Sequence, residues 1–284
     1  MTTTERPRRA LLGLAALSLA MLGATTLAPS AQAATPSSPR AASAGSLVYI
    51  KNHDVWLASG DGSAQFQVTT DGTADRPYFG PTQSDTGVIA AGHGQSIVVM
   101  SQNGAVRNAI DPPGLPDSAG HLIDGPPQDL AISPDGSLIA YTFYSYSCPI
   151  GIECMARFAT GVTDADRMTP YQTYGATYLA TPSWIGNRRT LQSGGGGSHM
   201  KLKDVGGAEQ VWFNDYDYAQ SSTDLGDGEV SPDGRWLAAV RGYGDSTHVI
   251  WYSVSGNPFS GAAPAVPTPA CVTGEQAGFA DPTW

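Results

Sequence analysis

Residues 132–143 read ISPDGSLIAYTF, and residues 230–241 read VSPDGRWLAAVR. In each copy Ser-Pro-Asp-Gly is a turn with a mechanism. Pro presets φ for the second position of a type I turn, Asp bonds the local backbone, and Gly suits the exit. Behind the first turn Leu138, Ala140 and Thr142 alternate with Ile139, Tyr141 and Phe143, the period-two pattern of a strand. The unit is strand, tight turn, strand, and it recurs 98 residues later.

The residue before the turn marks the phase. Ile132 and Val230 hold that place in the clear copies, Trp184 holds it in TPSWIGNRRTLQ, Phe79 in RPYFGPTQSDTGVIAA and Trp284 in DPTW. The spacings are 53, 52, 46 and 54 residues. A second register agrees. DVWLASGDGS (54–63), SIVVMSQNGA (96–105), HMKLKDVGGA (199–208) and HVIWYSVSGN (248–257) align without gaps. Each is an apolar strand entering a Gly-bearing hairpin turn. A short fourth strand follows, clearest in FQVT from Phe66. Four strands per unit at a period near ~50 residues describe a propeller blade.

The pattern PxWSPDGxxIAY … DVWLxxxDGS … xxVT resembles the TolB-type propellers, which carry WD40-like repeats and are common in exported bacterial proteins. The resemblance covers residues 46–284. It implies an all-β propeller of four-stranded blades, usually six. With strands lettered A to D, SLVYIK (46–51) is a strand B, and DPTW is a strand A. The expectation is a six-bladed propeller whose last blade is truncated. The alternative is a five-bladed ring closed by the C-terminal strand.

Ahead of the repeats, Arg6, Arg8 and Arg9 precede an apolar run from Ala10 to Leu27 and then Ala31-Gln32-Ala33. This reads as a signal peptide, residues 1–33, cut near Ala33. General secretion fits better than twin-arginine export, and the destination is extracytoplasmic, secreted or in the cell envelope. Residues 34–45 form a Pro/Ser/Ala linker too poor in apolar residues to pack. The whole chain carries −10, and the processed chain, with 12 basic and 24 acidic side chains, carries −12. Such a surface disfavours nucleic acid and anionic membrane as partners. After signal cleavage no membrane insertion is expected, and the protein reads as a monomer. Cys148 and Cys154 flank PIGIE, and in an oxidising compartment a disulfide pinning that loop is expected. Cys271 is left over, with a partner beyond the sequence or as a free thiol.

Strand order sorts the loops onto two faces. The A–B and C–D turns are short, whereas the B–C and D–A loops include 111–127, 144–154, 163–178 and 214–229. Long loops on a rigid scaffold are where binding sits. The candidates on that face are Tyr144, Tyr146, Tyr174, Tyr178, Asp215, Asp217, Tyr218, His199 and His248. Tyrosine among aspartates suits a protein, peptide or glycan, and tyrosines packed over blade ends are the plainer reading. Asp215, Asp217, Asp224 and Asp227 could supply calcium with oxygen ligands, though their spacing is not that of an EF-hand. All five histidines fall on the same face, but His199 and His248 sit in adjacent blades, and packed sheets lie ~10 Å apart. A shared metal site is not expected, and no cofactor is required. SGGGGSHM (193–200) lacks the Lys and helix of a phosphate cradle. No G-x-S-x-G occurs, so the nucleophile of an attached α/β-hydrolase is missing. The resulting expectation is a non-catalytic exported propeller that binds a protein, peptide or envelope component through its long-loop face. A propeller hydrolase of lactonase or esterase type, with an axial site, is the alternative.

Overall fold

The computed structural model describes residues 45–147, 155–193, 199–214, 225–243, 246–278, 280 and 282–284. The turns that mark the repeat are built as their residues dictate. Ser133 Oγ donates to Asp135 at 2.7 Å and accepts the N–H of Leu138 at 3.0 Å, while Gly136 closes the turn at φ +76°. Ser231, Asp233, Trp236 and Gly234 repeat each of these contacts. The glycine is required because an L side chain is strained at positive φ.

Five antiparallel sheets follow in chain order. Blade 1 is β1 (Ser46–Lys51), β2 (Asp54–Ser59) and β3 (Gln65–Gln67). Blade 2 is β4 (Tyr78–Gln83), β5 (Val88–His93), β6 (Ser96–Ser101) and β7 (Val106–Ile110). A small hairpin, β8 (Leu115–Pro116) and β9 (Leu122–Ile123), leads into blade 3, which is β10 (Gln128–Ile132), β11 (Leu138–Ser147) and β12 (Met155–Asp164). After the single helical turn α1 (Tyr171–Tyr174), blade 4 is β13 (Ala180–Ile185), β14 (Arg189–Ser193), β15 (His199–Asp204) and β16 (Glu209–Asn214). Blade 5 is β17 (Leu225–Val230), β18 (Trp236–Tyr243), β19 (Ser246–Ser253) and β20 (Thr268–Val272).

The blades stand around an axis. Innermost strands lie against one another in the order β1, β4, β10, β13, β17. Apolar cores fill the spaces between neighbouring blades: Val55, Leu57, Ile89 and Met100 between blades 1 and 2, and Ile97, Ile139, Tyr141 and Phe143 between 2 and 3. Leu138, Ala140, Val162 and Trp184 fill the next space, and Leu191, Met200, Leu237 and Ile250 the last. β5, β6 and β14 are buried on both faces because each face meets a neighbouring blade, while the outer strands β3 and β20 are exposed. The chain is a β-propeller.

The structure corrects several expectations. Among the described residues the blades number five, as in the alternative reading; residues 282–284 form no strand, and the Trp284 indole donates to the Glu229 carbonyl of β17. The phase residue of blade 2 is Gln83, not Phe79. Ser84 N–H closes the hairpin onto Val88 as Ser133 does onto Leu138, so the first spacing is 49 residues. Blade 3 has no fourth strand, only a bridge between Thr160 and Thr177. Loop length also departs from the two-face rule, because the B–C turns of blades 1 and 2 hold only two residues each.

Candidate binding face

Four of the five innermost strands, all but β1, share a device at their entry, on the long-loop side of the axis. Each of β4, β10, β13 and β17 carries a register shift, between Phe79 and Thr82, Gln128 and Ala131, Ala180 and Ser183, and Gly226 and Glu229. One residue in each bulge has positive φ: Gly80 (52°), Asp129 (44°), Thr181 (46°) and Asp227 (44°). Gly accepts this freely, while each L residue there costs roughly 1–3 kcal/mol. Three consecutive blades sustain that cost at one position. Bulges are over-represented beside functional sites, where they re-aim side chains.

Asp129 organises what lies around it. Its carboxylate accepts the hydroxyl of Tyr144, and the backbone N–H of Thr181 on the next blade approaches the same oxygen at 3.4 Å. Burial, with the charges of Asp129 and Asp227, pushes the Tyr144 hydroxyl far above its ordinary range, so it stays a donor. Tyr144 stacks on Tyr146 at 6.3 Å and meets Phe158 at 6.0 Å. Tyr146, 68% exposed, stands on β11, which pairs with β12 over ten residues of each strand. Two half-buried carboxylates and an aromatic pair thus share one end of the axis. Together they can hold a cation or hydrogen-bond donors, with the exposed ring as a platform.

The other candidates scatter. Tyr174 lies on the tight-turn face: its hydroxyl donates to Asp164 at 2.9 Å, and its carbonyl accepts from Gly206 in the C–D turn of blade 4. Burial raises the Asp164 carboxyl, but bonds from Thr169, Tyr174 and Arg167 outweigh it and hold the group below its usual value. Stretch 163–178 starts on that face because blade 3 spends it covering its own turn. Tyr178 is half exposed between the Thr177 bridge and β13. His199 opens β15 opposite Asn214. His248 lies on β19, where its Nδ1 sits 3.1 Å from the Thr273 carbonyl. Asp215, Asp217, Tyr218 and Asp224 lie outside the described residues, as do Cys148 and Cys154. Asp227, assigned by sequence to the acidic loop, is instead the bulge residue of β17.

The remaining histidines are also apart. His53 shapes the β1–β2 turn, and buried His93 stacks on Tyr78 at 4.1 Å. His121 pairs with Asp117 at 3.3 Å. Among the described residues no group of three or more His, Cys, Asp or Glu is placed to hold a metal ion. The Asp117 cluster escaped sequence reading. Its carboxylate is buried, which raises its pKa, yet N–H groups of His121 and Ala119 and the imidazole more than reverse that. Arg157 joins it at 3.1 Å and ties the β8–β9 hairpin to β12. The spacing D-S-A-G-H (117–121) was the available signal, an Asp facing N–H groups two and four residues on.

No protein-family model and no curated protein matches the sequence. Among solved structures, an oligogalacturonate lyase in complex with manganese is similar at 12% identity and a TM-score of 0.45, over 78% of this chain and 59% of that one. A Mycobacterium tuberculosis puromycin-hydrolysing peptidase is similar at 15% identity and 0.46, over 73% and 34%. The β-propeller domain of Myceliophteria thermophila Cps50 (Swd1) is similar at 8% identity and 0.42, over 83% and 90%. The chain spans well under two thirds of the lyase and about a third of the peptidase. These proteins include enzymes and a propeller domain, and the fold here stands on the chain's own strand order and blade contacts. No described helix is long and apolar enough to cross a membrane.

Proposed function

We propose that this chain is an exported, non-catalytic propeller of TolB-like type that binds a protein or peptide through its long-loop face, at the axial mouth around Asp129, Asp227, Tyr144 and Tyr146. The observation that carries this reading is the strained bulge. Asp129 is held at positive φ where its carboxylate meets Tyr144, and nothing in the strand's own pairing needs an aspartate there. Carboxylates beside an exposed aromatic suit a basic side chain, which pairs with the charge and lies against the ring. An envelope protein presenting Lys or Arg on an extended segment is the partner class this chemistry recognises.

An array of peptides of varied sequence, probed with the labelled processed chain, tests the reading. Peptides bearing Lys or Arg should be enriched, and Asp129→Asn should reduce their signal. Equal retention of acidic and basic peptides, or signals unchanged in Asp129→Asn, would overturn it.

A further inference from the structure

β1 stands innermost in blade 1, but by register it is a second strand. Aligned on DVWLAS and SIVVMS, β2 corresponds to β6, so β1 corresponds to β5 and not to β4. In blade 2 the backbone of Val88 bonds Ser84, while Ala90 and Gly92 stand opposite Thr82 and Phe79 of β4. Their counterparts on β1 are Ser46, Val48 and Ile50. Among the described residues β1 pairs with β2 alone.

Register also fixes which groups are left over. Val55 and Ser59 turn their backbone groups toward β3. By alternation Asp54, Trp56 and Ala58 turn theirs toward β1, where they meet Lys51, Tyr49 and Leu47. The N–H and C=O groups of Ser46, Val48 and Ile50 therefore point to the free edge. A row of such groups is a template for one further strand. That strand runs antiparallel to β1, from the long-loop face to the tight-turn face, as β4, β10, β13 and β17 do.

Charge selects the residue at its head. Gly80, Asp129, Thr181 and Asp227 hold equivalent bulge positions on the other four inner strands, and two of them are carboxylates. The residue at the head of an added strand takes the fifth such position and faces those charges across the axial mouth. Lys51, the last residue of β1, is held over the Trp56 ring at 4.6 Å.

We propose that an extended partner segment, with a basic residue ahead of a short apolar stretch, seats on β1 as the inner strand of blade 1. This rests on the axial-mouth reading and adds to it the conformation and direction of the bound chain. The basic head pairs with the carboxylates, and the edge of β1 supplies main-chain bonds that do not depend on sequence.

The probe is acetyl-Gln-Lys-Leu-Ala-Ile-Ser-amide, which is residues 128–133 of blade 3 with Lys in the place of Asp129. Hydrogen exchange of the processed chain is read at single amides with and without it. In the free protein the amides of Val48 and Ile50 should exchange several-fold faster than those of Ala90 and Gly92, and the probe should slow them several-fold. The same residues in reverse order, with Lys near the end, should not. N-methylation of the probe's Ala and Ser amides, whose counterparts face β11 in blade 3, should abolish protection, whereas N-methylation of its Leu amide should leave it. Val48 and Ile50 amides as slow in the free protein as those of Ala90 and Gly92 would show the seat filled by the chain itself and overturn the proposal. So would a probe that gives no protection, or Lys- or Arg-bearing array peptides that bind without slowing these amides; the axial-mouth reading then stands. Retention of no Lys- or Arg-bearing peptide at all would remove that reading and this proposal with it.

Discussion

The indole of Trp184 donates to the carbonyl of Ala131 at 2.8 Å, bonding the innermost strand of blade 4 to that of blade 3. Trp284 makes the same bond to Glu229 at 3.0 Å, and Ala131 and Glu229 hold equivalent places one residue before the phase residue. Where the phase residue is Trp, its indole therefore fastens it to the inner strand of the preceding blade. Trp184 is also packed on Leu138, Ala140 and Val162, so Trp184→Ala should cost about 3–5 kcal/mol. Trp184→Phe keeps most of the packing but leaves the carbonyl unmet, and should cost about 1–3 kcal/mol. Trp284 is 48% exposed, so its alanine variant should lose clearly less than that of Trp184. Urea denaturation of the three variants checks the order.

A second inter-blade tie sits on the tight-turn face. Arg189 is fully buried, with Nε and Nη2 on the two Asp204 oxygens at 2.7 and 2.9 Å and Nη1 on the Pro258 carbonyl at 3.0 Å. It pins the long β19–β20 connection against blade 4. Asp204 is 44% exposed and is rehydrated when its partner goes, but the truncation leaves the Pro258 carbonyl unmet and a cavity at a fully buried site, so Arg189→Ala should cost about 2–5 kcal/mol. Arg189→Lys keeps the charge without the fork and should fall between that variant and the parent. Denaturation midpoints decide, and an alanine variant within about 0.5 kcal/mol of the parent, as for ordinary surface changes, would refute the tie.

The repeat turns have an acid signature. The Asp233 carboxyl is lowered from 3.8 to about 2, first by the Ser231 hydroxyl and then by the Arg235 N–H and side chain. A carboxyl depressed on folding lends stability that is complete above 3.8 and is lost as pH falls through about 2. In Ser231→Ala the group should titrate measurably closer to 3.8, by carboxyl-carbon NMR. An unchanged titration would show that the hydroxyl is not the cause.

Much of this fold is legible in the sequence because turn chemistry and alternation are local. Ser133, Pro134, Asp135 and Gly136 declare their hairpin without help from the rest of the chain. The phase of blade 2 misleads because Phe79 looks like Ile132, while the turn at Ser84 has lost its proline. Blade 3 misleads because residues after Asp164 are spent on the tight-turn network of Thr169 and Tyr174 in place of a fourth strand, which moves Tyr174 to the opposite face. The axial mouth is not legible. Nothing in Thr181 announces positive φ, and Asp129, Tyr144 and Asp227 are gathered only when the blades close around the axis. Arg189 meets Pro258 across 69 residues, a contact no local pattern contains.

The most direct test of the axial mouth is calorimetric titration of the strongest Lys- or Arg-bearing array peptide into the parent, Asp129→Asn and Tyr174→Phe proteins. Asp129→Asn removes the axial charge, while Tyr174→Phe alters a network on the opposite face. Loss of a charge-assisted bond predicts affinity weakened roughly tenfold or more in Asp129→Asn and unchanged in Tyr174→Phe. Equal affinity for Asp129→Asn and parent, or loss in Tyr174→Phe alone, would contradict binding at the axial mouth.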